Sequence, residues 1–116
     1  IATRERAISL PFYRDTLGLP LLAEDPYAAV LGMGGAVIRL STISDWIPHA
    51  HTVFGFEVAT IAETIRVLTG RGVKFIVYPG FGQSEDGVWT APDGNAKVAW
   101  FNDPDGNNLS LTEFGP

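Results

Sequence analysis

The chain lacks cysteine, has no run of basic residues and has no long apolar segment. The absence of cysteine excludes disulfides, thiolate metal sites and a cysteine nucleophile. The eight Lys and Arg residues are scattered among 13 Asp and Glu, and the pI is near 4.8. Phosphate binding needs clustered cations, so we expect neither nucleic acid nor a membrane as a partner. No apolar run approaches the roughly 20 residues of a membrane span. No signal-peptide pattern is present, and a cytoplasmic protein is expected.

The clearest pattern that is present is a hairpin from Ala96 to Phe114. Two apolar, aromatic-rich runs flank the turn Asp103-Pro104-Asp105-Gly106-Asn107. Pro104 presets φ for an early turn position, and Gly106 can adopt a positive φ without a steric clash. These features predict an antiparallel pair of strands.

The first half of the chain predicts one helix and three strands. Apolar spacing favours a helix over 4–16, with Thr3 as its N-cap, Gly18 at its end and a disturbance caused by Pro11 before Phe12. The predicted strands, separated by turns at Asp25-Pro26 and at residues 32–35, are 19–23, 27–31 and 36–42.

The second half repeats this order. A strand at 52–60 precedes a helix at 61–69, and strands follow at 73–78, at 88–90 and in the hairpin. Ile1-Ala2-Thr3 corresponds to Val58-Ala59-Thr60, so the first strand of the first half is expected to be largely missing and to begin before Ile1. The prediction is a single domain of two βαβββ modules, with module one at 1–43, a linker at 44–51 and module two at 52–116.

This plan resembles the vicinal oxygen chelate superfamily, which contains glyoxalase I, the bleomycin-resistance proteins and the extradiol dioxygenases. The resemblance rests on the duplicated plan, on residues 12–19 (FYRDTLGL) and on the Asp103–Asn107 turn. It implies an α+β fold in which the two modules form an open, cup-shaped mixed sheet. It also implies a homodimer, since members commonly dimerise.

In metal-using members, the resemblance implies four ligands, one on the first strand and one on the last strand of each module. The last-strand positions correspond here to Arg39 and Ser110, and the first strand of module two offers Val53 or Phe54. The fourth position lies before Ile1. None of the three visible positions provides a His or a carboxylate. We therefore expect no metal or other cofactor, as in the bleomycin-resistance-like branch.

Four polar residues are candidate ligand contacts, and Ser110 is one of them, as a polar group of the cup. Arg39, predicted to face the cup, could bind a ligand's carboxylate, phosphate or carbonyl, or it could be exposed or paired with Glu57. His51 could reach the cup rim as a base or a stray ligand, but the favoured interpretation is that His49 and His51 are loop residues that face solvent. Glu57 could be a general base or could point outward.

The aromatic residues Trp46, Phe81, Trp89 and Trp100 lie in predicted loops or on the hairpin, with Trp100 opposite Ser110. Exposing a loop tryptophan to water is costly, so such residues usually pack against other groups. We therefore expect these residues either to line a cup that binds a flat ligand or to bury a dimer interface. The first functional hypothesis is metal-independent binding of a small aromatic or amphipathic molecule. The alternatives are a lyase, isomerase or dioxygenase of the same superfamily, and a domain whose cup is vestigial.

Overall fold

The two halves of the chain repeat one order of elements in the computed structural model, which describes residues 1–115. The first half contains β1 (Ala2–Thr3), α1 (Arg6–Pro11), a π-helix (Phe12–Thr16), β2 (Leu21–Glu24), β3 (Ala28–Met33) and β4 (Ala36–Thr42). The second half contains β5 (Thr52–Glu57), α2 (Ile61–Gly70), β6 (Trp89–Thr90), β7 (Ala96–Asn102) and β8 (Asn108–Phe114). In residues 1–115, no helix has the length and apolarity needed to cross a membrane.

The strands form two four-stranded mixed sheets with the same topology. Their orders are β1-β4-β3-β2 and β5-β8-β7-β6. In each sheet the first strand pairs in parallel with the last, and the other pairs are antiparallel. The predicted α+β fold of two βαβββ units is confirmed.

The compact units differ from the halves of the chain at one point. One unit comprises residues 1–49 together with 103–106, and the other comprises residues 50–102 together with those from Asn107 onwards. The turn between β7 and β8 therefore belongs to the first unit, although both strands that it connects belong to the second.

The helix of the first unit changes its winding at Pro11, as predicted. α1 ends there, and the Leu17 amide donates to the Phe12 carbonyl at 2.9 Å, which is the spacing of a π-helix. A ring without an N–H cannot continue the regular hydrogen-bond ladder. The predicted start is wrong, because the N-cap is Glu5. Thr3 lies in β1, and its buried hydroxyl accepts a hydrogen bond from Ser9 at 2.6 Å.

A buried polar network surrounds Tyr13, which is fully buried in the core of the first unit. Its hydroxyl donates to the Asp103 carboxylate at 2.5 Å. The Asp105 carboxylate accepts from the Arg4 backbone amide at 2.9 Å and from the Arg4 guanidinium at 3.2 Å. Burial, together with the negative charge of Asp103, raises the pKa of Tyr13. The phenol therefore remains a protonated donor.

The hairpin is confirmed in its strands, its register and its turn. β7 and β8 pair from Ala96 opposite Phe114 to Asn102 opposite Asn108, and Trp100 lies opposite Ser110. Gly106 has φ +89°, a conformation that non-glycine residues rarely adopt. The glycine turn of the first half is shorter than predicted, because β3 continues through Met33 and only Gly34 and Gly35 form the turn.

The strand predicted at 73–78 does not form. This segment makes one bridge, from Phe75 to Phe101, and the Ile76 amide bonds the Trp100 carbonyl at 2.8 Å. The Gln83 side chain takes the place of a neighbouring strand. Its Oε1 accepts from the Tyr78 amide at 2.7 Å, and its Nε2 donates to the Ile76 carbonyl at 2.9 Å. Backbone groups satisfied by a side chain no longer need a sheet partner.

Candidate functional site

The second sheet has one apolar face and one face that carries polar and aromatic side chains. Alternate residues of β7 and β8, including Phe101, Leu109 and Leu111, are buried, and α2 packs against both strands. Because side chains alternate along a strand, the intervening residues point to the opposite face. We call this opposite face the site face; its register places on it Thr52, Gly55, Trp100, Asn102, Asn108 and Ser110.

An aromatic cluster lies on the site face. The Trp100 ring centroid is 5.8 Å from that of Tyr78 and 5.6 Å from that of Phe81, and both pairs meet edge to face. Phe81 also lies 6.0 Å from Trp89. These separations are typical of favourable aromatic pairs. Phe81 is 47% exposed, so the cluster presents apolar ring surface to solvent.

A row of polar side chains lies beside the cluster. The Thr52 hydroxyl donates to Asn108 Oδ1 at 2.7 Å, and Asn108 Nδ2 donates to the Tyr78 hydroxyl at 3.0 Å. Asn108 and Ser110 are buried although they are polar. Gly55 leaves room for Ser110, because a Cβ built on this glycine would lie 2.8 Å from Ser110 Oγ.

Four of the predicted site residues lie close together on or beside this face in the second unit. Trp89, Trp100 and Phe81 form the cluster, and Ser110 lies next to them opposite Trp100. The three rings were identified from the cost of exposing loop aromatics, and the structure shows that they contact one another.

Two further predicted residues of the second unit lie at the margins of β5. Glu57 is exposed at its end, opposite Thr112, and its parity with Gly55 places it on the site face. His51 is exposed just before it, with Nδ1 3.1 Å from the Thr52 carbonyl oxygen. Neither side chain is among those that form the aromatic cluster or the Thr52–Asn108–Tyr78 chain.

Arg39 and Trp46 belong to the first unit. Arg39 lies opposite Val30 on the first sheet and forms an ion pair with Asp25 at 3.3 Å, with both side chains about half exposed. The Asp25 pKa is lowered first by the backbone amides of Tyr27 and Ala28, and Arg39 adds a smaller effect. Trp46 packs edge to face on His49, with centroids 5.7 Å apart.

Sequence reasoning missed Tyr78, Asn108 and Thr52. Asn108 was predicted only as part of the hairpin, and Tyr78 only as part of the strand at 73–78. A polar residue directly after the hairpin turn, opposite another asparagine, is the one signal that the sequence offered for Asn108.

The residues present do not fit a divalent metal. Among residues 1–115, no group of three or more His, Asp or Glu side chains is placed to hold an ion. On β5, the position beside Ser110 is Gly55 rather than Val53 or Phe54, because a bulge between Thr52 and Phe54 shifts the register. Phe54 lies opposite Leu109, on the side of α2. Glycine and serine replace the side chains that a metal would require.

The duplicated βαβββ topology, with two four-stranded mixed sheets of the same strand order, defines the class of fold, and the comparisons identify the family. The model of the Glyoxalase/Bleomycin resistance protein/Dioxygenase superfamily matches residues 1–111. The chain belongs to this superfamily. No curated protein matches the sequence.

Solved structures share the fold at low sequence identity. A glyoxalase/bleomycin resistance protein/dioxygenase from Alicyclobacillus acidocaldarius is 17% identical with a TM-score of 0.78, and the alignment covers 100% of this chain and 88% of that one. A lactoylglutathione lyase from Agrobacterium tumefaciens is 16% identical with a TM-score of 0.73, covering 97% and 88%. A family member from Nocardioides is 18% identical with a TM-score of 0.72, covering 98% and 79%. At these identities the likeness shows the fold alone.

Proposed function

We propose that this protein binds a small, flat aromatic or amphipathic molecule on the site face without a metal. The observation that carries the proposal is the cluster of Tyr78, Phe81, Trp89 and Trp100, which leaves ring surface exposed beside buried polar groups. Sites for small molecules combine apolar and aromatic walls with a few fixed polar groups.

The composition of the site face supports binding rather than metal chemistry. Ser110 and Gly55 occupy adjacent positions in the register, and neither can supply the nitrogen or carboxylate oxygen that zinc-type sites use. Ser110 is instead a candidate hydrogen-bonding contact for the ligand. Arg39, in the first unit, stays a separate prediction: its exposed ion pair with Asp25 is worth under about 1 kcal/mol, so its guanidinium can exchange Asp25 for an anionic group.

The three tryptophans allow the site to be located by fluorescence. Coumarin, a flat bicyclic quencher, is titrated into the wild type, into Trp46→Phe, and into the double variant Trp89→Phe/Trp100→Phe. We expect saturable quenching in the wild type and in Trp46→Phe, because Trp89 and Trp100 report on the cluster. The double variant keeps aromatic rings at both positions but retains only the reporter of the first unit, so its quenching should be lost.

Two results would contradict the proposal. One is saturable quenching of equal depth in the double variant, which would place the ligand near Trp46. The other is stoichiometric, tightly bound Zn, Mn, Fe or Ni in the purified protein, with coumarin binding abolished by a chelator.

A further inference from the structure

Tyr78 connects the aromatic cluster with the polar row. Its ring meets Trp100 edge to face, and its hydroxyl lies 3.0 Å from the side-chain nitrogen of Asn108. Its position is fixed through its backbone, since the Tyr78 amide donates to Gln83. Asn108 is only 5% exposed, so its amide is held among protein groups rather than water.

The hydrogen-bond partners around Asn108 fit one orientation of its amide, in which the amide nitrogen also lies 3.4 Å from Asn102 Oδ1. The contact with Thr52 is 2.7 Å, which is the usual length of an O–H···O bond. The contact with Tyr78 is 3.0 Å, which is the usual length of an N–H···O bond. The amide oxygen therefore faces Thr52, and the amide nitrogen faces Tyr78.

This orientation determines what Tyr78 can offer a ligand. An amide nitrogen can only donate, so the phenol oxygen accepts from Asn108 and keeps its own hydrogen. Across residues 1–115, no side chain or carbonyl accepts a hydrogen bond from the Tyr78 hydroxyl. The site thus holds an oriented, unused donor next to exposed ring surface.

We propose that Tyr78 determines specificity, selecting planar aromatic ligands that carry a hydrogen-bond acceptor such as a ring nitrogen or a carbonyl. Asn108 and Thr52 are positioning residues that turn the Tyr78 hydrogen toward the ligand. The proposal rests on the proposed function and adds the chemical class of the ligand. Ligands whose only polar group is a donor would face a second donor and are disfavoured.

Three fused bicyclic probes of similar size test this selection by isothermal titration calorimetry at neutral pH. Quinoline offers an acceptor, indole offers a donor, and naphthalene offers neither. We expect the wild type to bind quinoline about five- to tenfold more tightly than naphthalene, the effect of one net hydrogen bond. In Tyr78→Phe this preference should vanish while naphthalene affinity is retained, because the ring remains. Tyr27→Phe, the same change at an exposed tyrosine of the first unit, should leave the preference intact.

Asn108→Asp tests the positioning role of Asn108 by a change in ligand preference, which a purely structural role of Asn108 would not produce. A carboxylate can only accept, so it would take the hydrogens of both Thr52 and Tyr78. The phenol oxygen would then present a lone pair, and the preference should reverse in favour of indole over quinoline.

The outcomes separate this inference from the proposed function. The wild type could bind naphthalene and quinoline with equal affinity, or Tyr78→Phe could keep the preference for quinoline. Either result would refute ligand selection by Tyr78 and would leave the proposed binding of aromatic molecules unaffected. If Asn108→Asp is folded by circular dichroism but keeps the wild-type order of affinities, the positioning by Asn108 is wrong. If the wild type binds none of the three probes, both proposals are overturned.

Discussion

Replacement of Tyr13 by phenylalanine tests the polar network that closes the first unit. The change preserves the buried ring and removes one hydrogen bond of 2.5 Å to the Asp103 carboxylate. A hydrogen bond to a charged group contributes about 1.5–3 kcal/mol, and the loss leaves a buried acceptor without this donor. We therefore expect the free energy of unfolding to fall by about 2 kcal/mol. For a chain of 116 residues, this corresponds to a Tm lower by about 8 °C.

The stability difference between the wild type and Tyr13→Phe should depend on pH. Burial and the charge of Asp103 raise the pKa of Tyr13 above its ordinary value of 10.0. Above that pH the unfolded chain releases the Tyr13 proton while the folded protein still holds it, so stability falls as the pH rises. Phenylalanine has no proton to release. The stability difference between wild type and variant should be full below pH 10.0 and should narrow above it.

Urea unfolding followed by circular dichroism, at neutral pH and at a series of alkaline pH values, measures both effects. Tyr27→Phe is the matched control, since this tyrosine is 75% exposed and should change stability by less than about 0.5 kcal/mol. A Tyr13→Phe protein as stable as the control, or a difference that widens at alkaline pH, would refute the reasoning.

Four further measurements test other parts of the structure. Gly55→Ala should cost about 1 kcal/mol in urea unfolding, because its Cβ would meet Ser110 Oγ at 2.8 Å, and the additional change Ser110→Ala should remove most of that cost. Gln83→Ala should cost about 1 kcal/mol by removing hydrogen bonds to partly buried backbone groups, and amide exchange at Tyr78 should accelerate. Arg39→Ala should weaken the binding of 2-naphthoate if Arg39 holds an anionic group, and an affinity equal to that of the wild type would exclude that role. Sedimentation velocity over a wide concentration range tests the predicted homodimer, which a monomer at all concentrations would contradict.

Most of the fold could be predicted because its signals are local. The turn between β7 and β8 carries proline and glycine at positions that only such a turn explains, and the strands around it alternate in polarity. The interruption of the first helix also follows from one residue, Pro11. Proline has no backbone N–H, so one hydrogen bond of the regular α-helical series cannot form.

The predictions that failed depend on specific side-chain contacts and strand pairing rather than on local periodicity. Residues 73–78 are apolar enough for a strand, but Gln83 satisfies their backbone, which no periodicity reveals. Thr3 is a good N-cap by type, yet its hydroxyl bonds Ser9 because Thr3 lies in β1.

The candidate site was predictable in its aromatic part and at Ser110. Loop aromatics are conspicuous in a sequence, so Phe81, Trp89 and Trp100 were identified. The role of Asn108 depends on contacts with Thr52 and Tyr78, which lie 56 and 30 residues away along the chain. Such contacts follow from sheet register, and the β5 bulge that sets part of this register is not visible in the sequence.

The turn at 103–106 has a consequence for how the duplicated halves can be separated. Cleavage in the segment between β4 and β5 would yield a first fragment that lacks this turn, although the turn belongs to its compact unit. That fragment would have no Asp103 to accept from Tyr13 and no Asp105 to accept from Arg4. The sequence therefore repeats as two modules, but the first module cannot be cut out as a complete structural unit. Its first half completes its interior only with a peptide from the second, so the two halves are expected to unfold as one cooperative system.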